Sequence, residues 1–131
     1  MHFRFPIACI LASVLAAMAA TPTAAQDWPQ RTVKLVVGYG AGGGTDLVAR
    51  IVAQALQEKL KQPFVVENKV GASGIVGADS VAKSDKDGYT LYLMPGTHAL
   101  VPSLVARVPF HVANDFTMVA MRGTQPYMIF A

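Results

Sequence analysis

Thr32-Val33-Lys34-Leu35-Val36-Val37-Gly38-Tyr39-Gly40-Ala41-Gly42-Gly43-Gly44-Thr45-Asp46-Leu47-Val48-Ala49-Arg50-Ile51-Val52 is the stretch that decides the fold. Residues 32–37 are β-branched or apolar apart from Lys34 and read as a buried strand. Residues 38–44 then hold five glycines in seven positions, a turn that no regular element tolerates. Beyond it Leu47, Val48, Ile51, Val52, Ala55, Leu56 and Leu60 recur at spacings of three and four. That period predicts an amphipathic helix over 45–61 with those seven residues on its inner face. Thr45 or Gly44 is expected to cap it. Asp46 lies in its first turn and Lys59 and Lys61 in its last, as the helix dipole prefers. Pro63 ends it.

The same strand–loop–helix order repeats downstream. Residues 64–67 predict a second strand and 68–74 a second glycine-containing loop. A short helix comes next over 75–83, with Ile75, Ala78, Val81 and Ala82 inward. Asp85-Lys86-Asp87-Gly88 is a turn signature. Residues 89–94 predict a third strand, and Pro95-Gly96-Thr97 a turn in which Thr97 can cap a helix over 98–104. Pro102 fits poorly in the middle of that helix. A further strand is expected over 117–121, and a last extended segment over 127–131. Alternating strands and helices give a parallel sheet covered by helices, the α/β class.

The chain has 131 residues and a formal charge of +3. Arg4, the apolar run 7–20 and the small residues Thr23-Ala24-Ala25 form a secretory signal peptide over 1–25, cut before Gln26. The expected mature part, 26–131, loses only Arg4 among the charges, so its formal charge is +2. Its bases are scattered, with no basic run and no interleaved aromatics, which argues against nucleic-acid binding. Cys9 is the sole cysteine and leaves with the leader, so no disulfide or thiolate metal site is expected. Trp28, just after the cut, is expected to anchor the mature N-terminus by packing.

Ligands of a parallel α/β sheet sit beyond the carboxyl ends of its strands. The loops over 38–44, 71–77 and 95–97 all lie there, and each feeds a helix N-terminus. Such a terminus offers free N–H groups and about half a positive elementary charge. Glycine lets that backbone approach a ligand closely, so the three loops together suit a small anion. The competing reading comes from Gly38-x-Gly40-x-x-Gly43, which matches the dinucleotide fingerprint literally, with Glu67 near the place of a ribose-binding acid. Export from the cytoplasm argues against a nicotinamide cofactor, and the Asp46 charge opposes a pyrophosphate. Gly44-Thr45-Asp46 lacks the lysine of a P-loop. His98 and His111 are the histidines left after the leader. His98 suits either a ligand contact or a plain capping or surface role. No catalytic or metal-binding spacing is present, so neither enzyme chemistry nor a cofactor is expected.

Several motifs occur in register: Trp28-Pro29-x-Arg31-x-Val33, Gly42-Gly43-Gly44-Thr45-Asp46 with Ala49-Arg50, Val65-Val66-Glu67-Asn68-Lys69, Gly71-Ala72-Ser73-Gly74-Ile75-Val76-Gly77-Ala78, and Asp87-Gly88-Tyr89-Thr90-Leu91. Over 27–131 the chain resembles the Bug-type substrate-binding receptors of tripartite tricarboxylate transporters. The resemblance implies the first lobe of a two-lobed, Venus-flytrap periplasmic binding protein, with the second lobe absent from this sequence. It implies a monomer that captures a small organic anion and delivers it to membrane permease subunits. Carried onto this chain, the carboxylate site falls on Gly42, Gly43, Gly44, Thr45 and Asp46, on Gly71, Ala72, Ser73, Gly74 and Gly77, and on Gly96, Thr97 and His98. Asp46 can cap its helix, pair with Arg50, or bind a donor on the ligand. Tyr39-Gly40-Ala41, Ile75-Val76-Gly77 and residues 100–104 depart from the commoner family pattern. With half the cleft missing, this chain alone is expected to bind weakly or not at all.

Overall fold

A computed structural model describes residues 27–121 and 123. The expected leader over 1–25 and the extended segment over 127–131 lie outside them. Three parallel strands form one sheet in the order β2-β1-β3: β1 is Val33–Val37, β2 Phe64–Asn68 and β3 Thr90–Tyr92. Helix α1, Gly44–Leu60, joins β1 to β2, and helix α2, Ile75–Ala82, joins β2 to β3. The α/β expectation therefore holds, with the parallel pairing that helical crossovers require.

β1 sits in the middle because it is apolar on both faces. Val33, Leu35 and Val37 pack with Phe64 under Ala49 and Ala53 of α1. Val36 points to the opposite face, and the register sets it beside Tyr92, which packs with Ile75 and Ala78 of α2. Two helical layers thus cover the two faces. Lys34 is exposed and reaches Glu67 across the β1–β2 pair at 3.1 Å. Trp28 packs edge-on to Phe64, ring centres 6.3 Å apart, and also meets Tyr89, so it anchors the segment ahead of β1 as expected.

Four details differ from the sequence expectation. First, α1 is rotated: its buried residues are Asp46, Ala49 and Ala53, while Leu47 and Ile51 are each 59% exposed. The helix docks through its smallest side chains, which allow close approach to the sheet, and the turn that brings Asp46 inward carries Leu47 out. Second, neither Thr45 nor Gly44 caps α1; the cap position is Gly43, without a side-chain bond. Third, the helix expected over 98–104 is split into a 3-10 turn, Gly96–Leu100, and a short helix α3, Val101–Leu104, without a Thr97 side-chain cap. The split places Pro102 in the first turn of α3, where its missing N–H costs no bond. Fourth, residues 117–121 form no strand, and Met118, Val119 and Met121 are at least 76% exposed. Strand propensity needs a neighbour to pair with, and among the described residues that segment has none.

Candidate functional site

The carboxyl ends of β1 and β2 turn into two loops that lie against each other. A methyl group added to Gly38 would fall 2.7 Å from Gly74 Cα. One added to Gly77 would fall 2.9 Å from Gly38 Cα. Both distances are inside van der Waals contact. The glycines at these positions therefore allow the loop after β1 to rest directly on the start of α2. Gly38 was legible as part of a glycine-rich turn, but its role as the contact point is a tertiary fact.

Asp46 organises the first loop. It is 2% exposed, yet its carboxylate lacks no partner. Oδ2 accepts from the Gly42 N–H at 2.9 Å and from Arg50 Nε at 2.9 Å. Oδ1 accepts from Arg50 Nη2 at 3.1 Å and from Asn68 Nδ2 at 2.9 Å. The Asn68 amide also donates to the Tyr39 carbonyl at 3.0 Å, tying the end of β2 to the same loop. Arg50 first, then the Gly42 N–H and Asn68, hold the Asp46 carboxyl down at about 2. Of the three roles open to Asp46, this is the pairing with Arg50, together with a back-reach to the loop that resembles a capping box. The pairing also cancels the charge on which the objection to a pyrophosphate rested.

With these bonds made, the N–H groups left over are few and local. The Gly42 N–H is spent on Asp46, and the first intrahelical bond of α1 runs from the Leu47 N–H to the Gly43 carbonyl. Gly44, Thr45 and Asp46 come before it, so their N–H groups have no place in the helical ladder. In the second loop the Gly74 and Val76 N–H groups donate to the Gly71 carbonyl, and that of Ile75 to the Ala72 carbonyl. Ala72 and Ser73 remain. Both have positive φ, 46° and 55°, and Gly74 comes next at 91°. Ala72 and Ser73 open this left-handed turn, so their N–H groups, like those at the start of any helix, have no partner inside it; presented together by the turn, they form a concave nest suited to anions. The strain is held from below: Tyr39 donates its hydroxyl to the Ser73 carbonyl and Tyr92 to the Gly74 carbonyl, each at 3.2 Å.

The third loop contributes differently from the other two. Gly96 and Thr97 are exposed, and no hydrogen bond joins them to the first two loops among the described residues. His98 is fully buried instead of serving as a surface or capping residue. Its Nδ1 lies 3.4 Å from where a Gly74 Cβ would stand. Tyr39, Arg50, Asn68 and Tyr92 were not singled out as site residues from the sequence; Arg50 four residues after Asp46 was the one available signal. No cluster of three potential metal ligands occurs among the described residues.

Residues 48–131 match the tripartite tricarboxylate transporter family receptor. The chain is 40% identical to protein BugT of Bordetella pertussis over 112 residues, 84% of this chain and 34% of that one. It is 36% identical over 129 residues to a UPF0065 protein of Agrobacterium vitis, covering 98% of this chain and 36% of that one. The chain thus spans about a third of the length of these relatives. A solved structure of an R. palustris protein with adipate is 48% identical, with a TM-score of 0.50 over half of this chain and 22% of that one. The alternating strands and helices, the two apposed glycine loops and the match over 48–131 agree, and the chain belongs to the tripartite tricarboxylate transporter receptor family.

Proposed function

We propose that this chain is the N-terminal part of a periplasmic solute receptor that captures a small organic carboxylate and presents it to a membrane permease. In this reading residues 1–25 are removed on export, and residues 26–131 belong to a first lobe over which a second closes by hinge motion. The observation that carries it is the set of unspent donor groups on two loops that touch through Gly38, Gly74 and Gly77. Gly44 and Thr45 at the start of α1 and the Ala72–Ser73 nest hold the N–H groups that internal bonds leave unspent. Neither loop contains a lysine or arginine, so the site stabilises an anion through oriented backbone dipoles. Adipate bound in the R. palustris relative supports a dicarboxylate as the ligand. Asp46 acts here as a positioning residue, fixing Gly42 so that Gly44 and Thr45 face outward. Gly96 and Thr97 contribute little, and His98 lies beneath the site.

Amide chemical-shift mapping of this chain tests the reading, because it detects millimolar affinity. Adipate should move the Gly44, Thr45, Ala72 and Ser73 signals together, with chloride at equal ionic strength inert. Shifts induced by NAD or ATP at the 38–44 loop, with none from carboxylates, would replace this reading by the dinucleotide one.

A further inference from the structure

His98 is fully buried and both its ring nitrogens lack a partner among the described residues. A neutral imidazole carries one N–H and one lone pair, so burial without partners leaves both unsatisfied. The ring is fixed by its neighbours. Phe110 stacks on it at 5.8 Å and 13°, and Tyr92 meets it edge-on at 5.4 Å. Nδ1 lies beside Gly74, 3.4 Å from the place of a Cβ there. Gly74 caps α2 and ends the nest of Ala72 and Ser73.

The groups around this ring are almost all neutral. β3 supplies Tyr92, whose hydroxyl is pushed up to about 12 by burial and stays protonated. The loop after β1 supplies Tyr39, bonded to the Ser73 carbonyl. Ile75 and Ala78 of α2, Val101 of α3, and Phe110 and Phe116 complete an apolar wall. The charged groups on these elements are Asp79 of α2, paired to Lys83 at 2.7 Å, and Asp115, which accepts from the His111 N–H on the exposed side of the Phe110–Phe116 turn. Asp79 Oδ1 is itself buried without a partner. No ion pair to His98 occurs among the described residues.

We propose that His98 is a positioning residue that links anion binding at the Ala72–Ser73 nest to proton uptake: neutral in the free protein, it takes a proton when a carboxylate docks above it. This rests on the carboxylate reading of the site. Burial in an apolar wall disfavours the imidazolium and lowers the affinity of His98 for a proton in the free state. A carboxylate one loop away favours the imidazolium. The pKa of the bound state therefore lies above that of the free state, so carboxylate affinity rises as pH falls between the two values and is flat outside them. A rise of about one pH unit on binding corresponds to at most about a tenfold gain in affinity.

The test is an NMR titration of the imidazole ring signals of this chain from pH 7.5 to 5, with and without millimolar adipate, reading the Ala72 and Ser73 amides in the same samples. The expected result is a His98 midpoint that moves up by about one pH unit with adipate, while that of His111 does not. In His98→Gln the adipate affinity should follow only the ligand's own titration, and the parent should exceed it increasingly towards pH 5.5. Amide shifts with adipate and an unmoved His98 midpoint would overturn the proposal and leave the carboxylate site standing. Absence of amide shifts at every pH would show that these residues hold no carboxylate site in this chain, and would overturn the proposal with it.

Discussion

Gly77→Ala is the substitution whose outcome the geometry decides against the usual rule. Gly77 lies inside α2, where alanine is favoured over glycine by about 1 kcal/mol. Propensity alone therefore predicts a more stable protein. The added methyl, however, would stand 2.9 Å from Gly38 Cα, 3.1 Å from the Lys69 carbonyl and 3.3 Å from the Gly38 nitrogen. All three are backbone atoms, so no rotamer change relieves them. Restoring an ordinary carbon contact of about 3.5 Å requires α2 to retreat by about 0.6 Å from the end of β1. Overpacking of this kind costs about 1–3 kcal/mol, and three rigid contacts place it at the upper end. The net expectation is a loss of about 1–2 kcal/mol, or about 5–10 °C in Tm for a domain of this size. Gly44→Ala is the control: no atom lies within 4 Å of its Cβ position, so it should be neutral or gain about 0.5 kcal/mol. Thermal unfolding followed by circular dichroism compares the three proteins. A Gly77→Ala protein that melts at or above the parent would refute the claim that the two loops are in backbone contact.

Other predictions bear on the same network. Asn68→Ala removes donors to the Tyr39 carbonyl and to Asp46, and should cost about 1–2 kcal/mol by urea unfolding. Asn68→Asp should cost more than Asn68→Ala at pH 7, because it sets a second carboxylate against Asp46, and the excess should vanish near pH 3. Asp46 has a folded-state pKa of about 2 against 3.8 unfolded, so its contribution to stability is present above pH 3.8 and is lost as the pH falls towards 2. Acid unfolding of Asp46→Asn should lack that part of the slope, and an unchanged slope would count against the network. Tyr92→Phe leaves the Gly74 carbonyl unpaired at a cost of about 1 kcal/mol. In that background Gly38→Ala should cost less than in the parent, since the Tyr92 hydroxyl 2.6 Å away is gone, but still cost something because Gly74 Cα remains at 2.7 Å; additive losses in a double-mutant cycle would deny the contact.

The elements legible in the sequence are those marked by strong local signals. β1 is apolar on every position but one, the glycine run after it cannot be helix or strand, and Pro63 and the 85–88 turn bracket the second strand–helix unit. The motifs over 27–131 were enough to point to the receptor family, which the match over 48–131 bears out. Misjudged features depended on distant partners. The seven-residue stripe of α1 was a sound period, yet the helix turned Leu47 and Ile51 out because Asp46 had bonds to make with Gly42 and Asn68. Residues 117–121 have a strand's composition, but pairing is a property of two segments.

What the sequence determined by itself is the α/β order, the position of the glycine loops at the carboxyl ends of the strands, and the family. These rest on short-range constraints: the allowed backbone angles of glycine and proline, and the two periods that separate strand from helix. Tertiary structure alone decided which donors remain available. Gly42 spends its N–H on Asp46, Gly74 and Val76 spend theirs on Gly71, and Ala72 and Ser73 keep theirs in a left-handed turn braced by Tyr39 and Tyr92. It also decided that His98 is enclosed between Phe110 and Tyr92 with no partner for its nitrogens among the described residues. The physical reason is common to both: a hydrogen bond or a buried ring depends on which groups meet in space, and residue periodicity and propensity do not record that meeting.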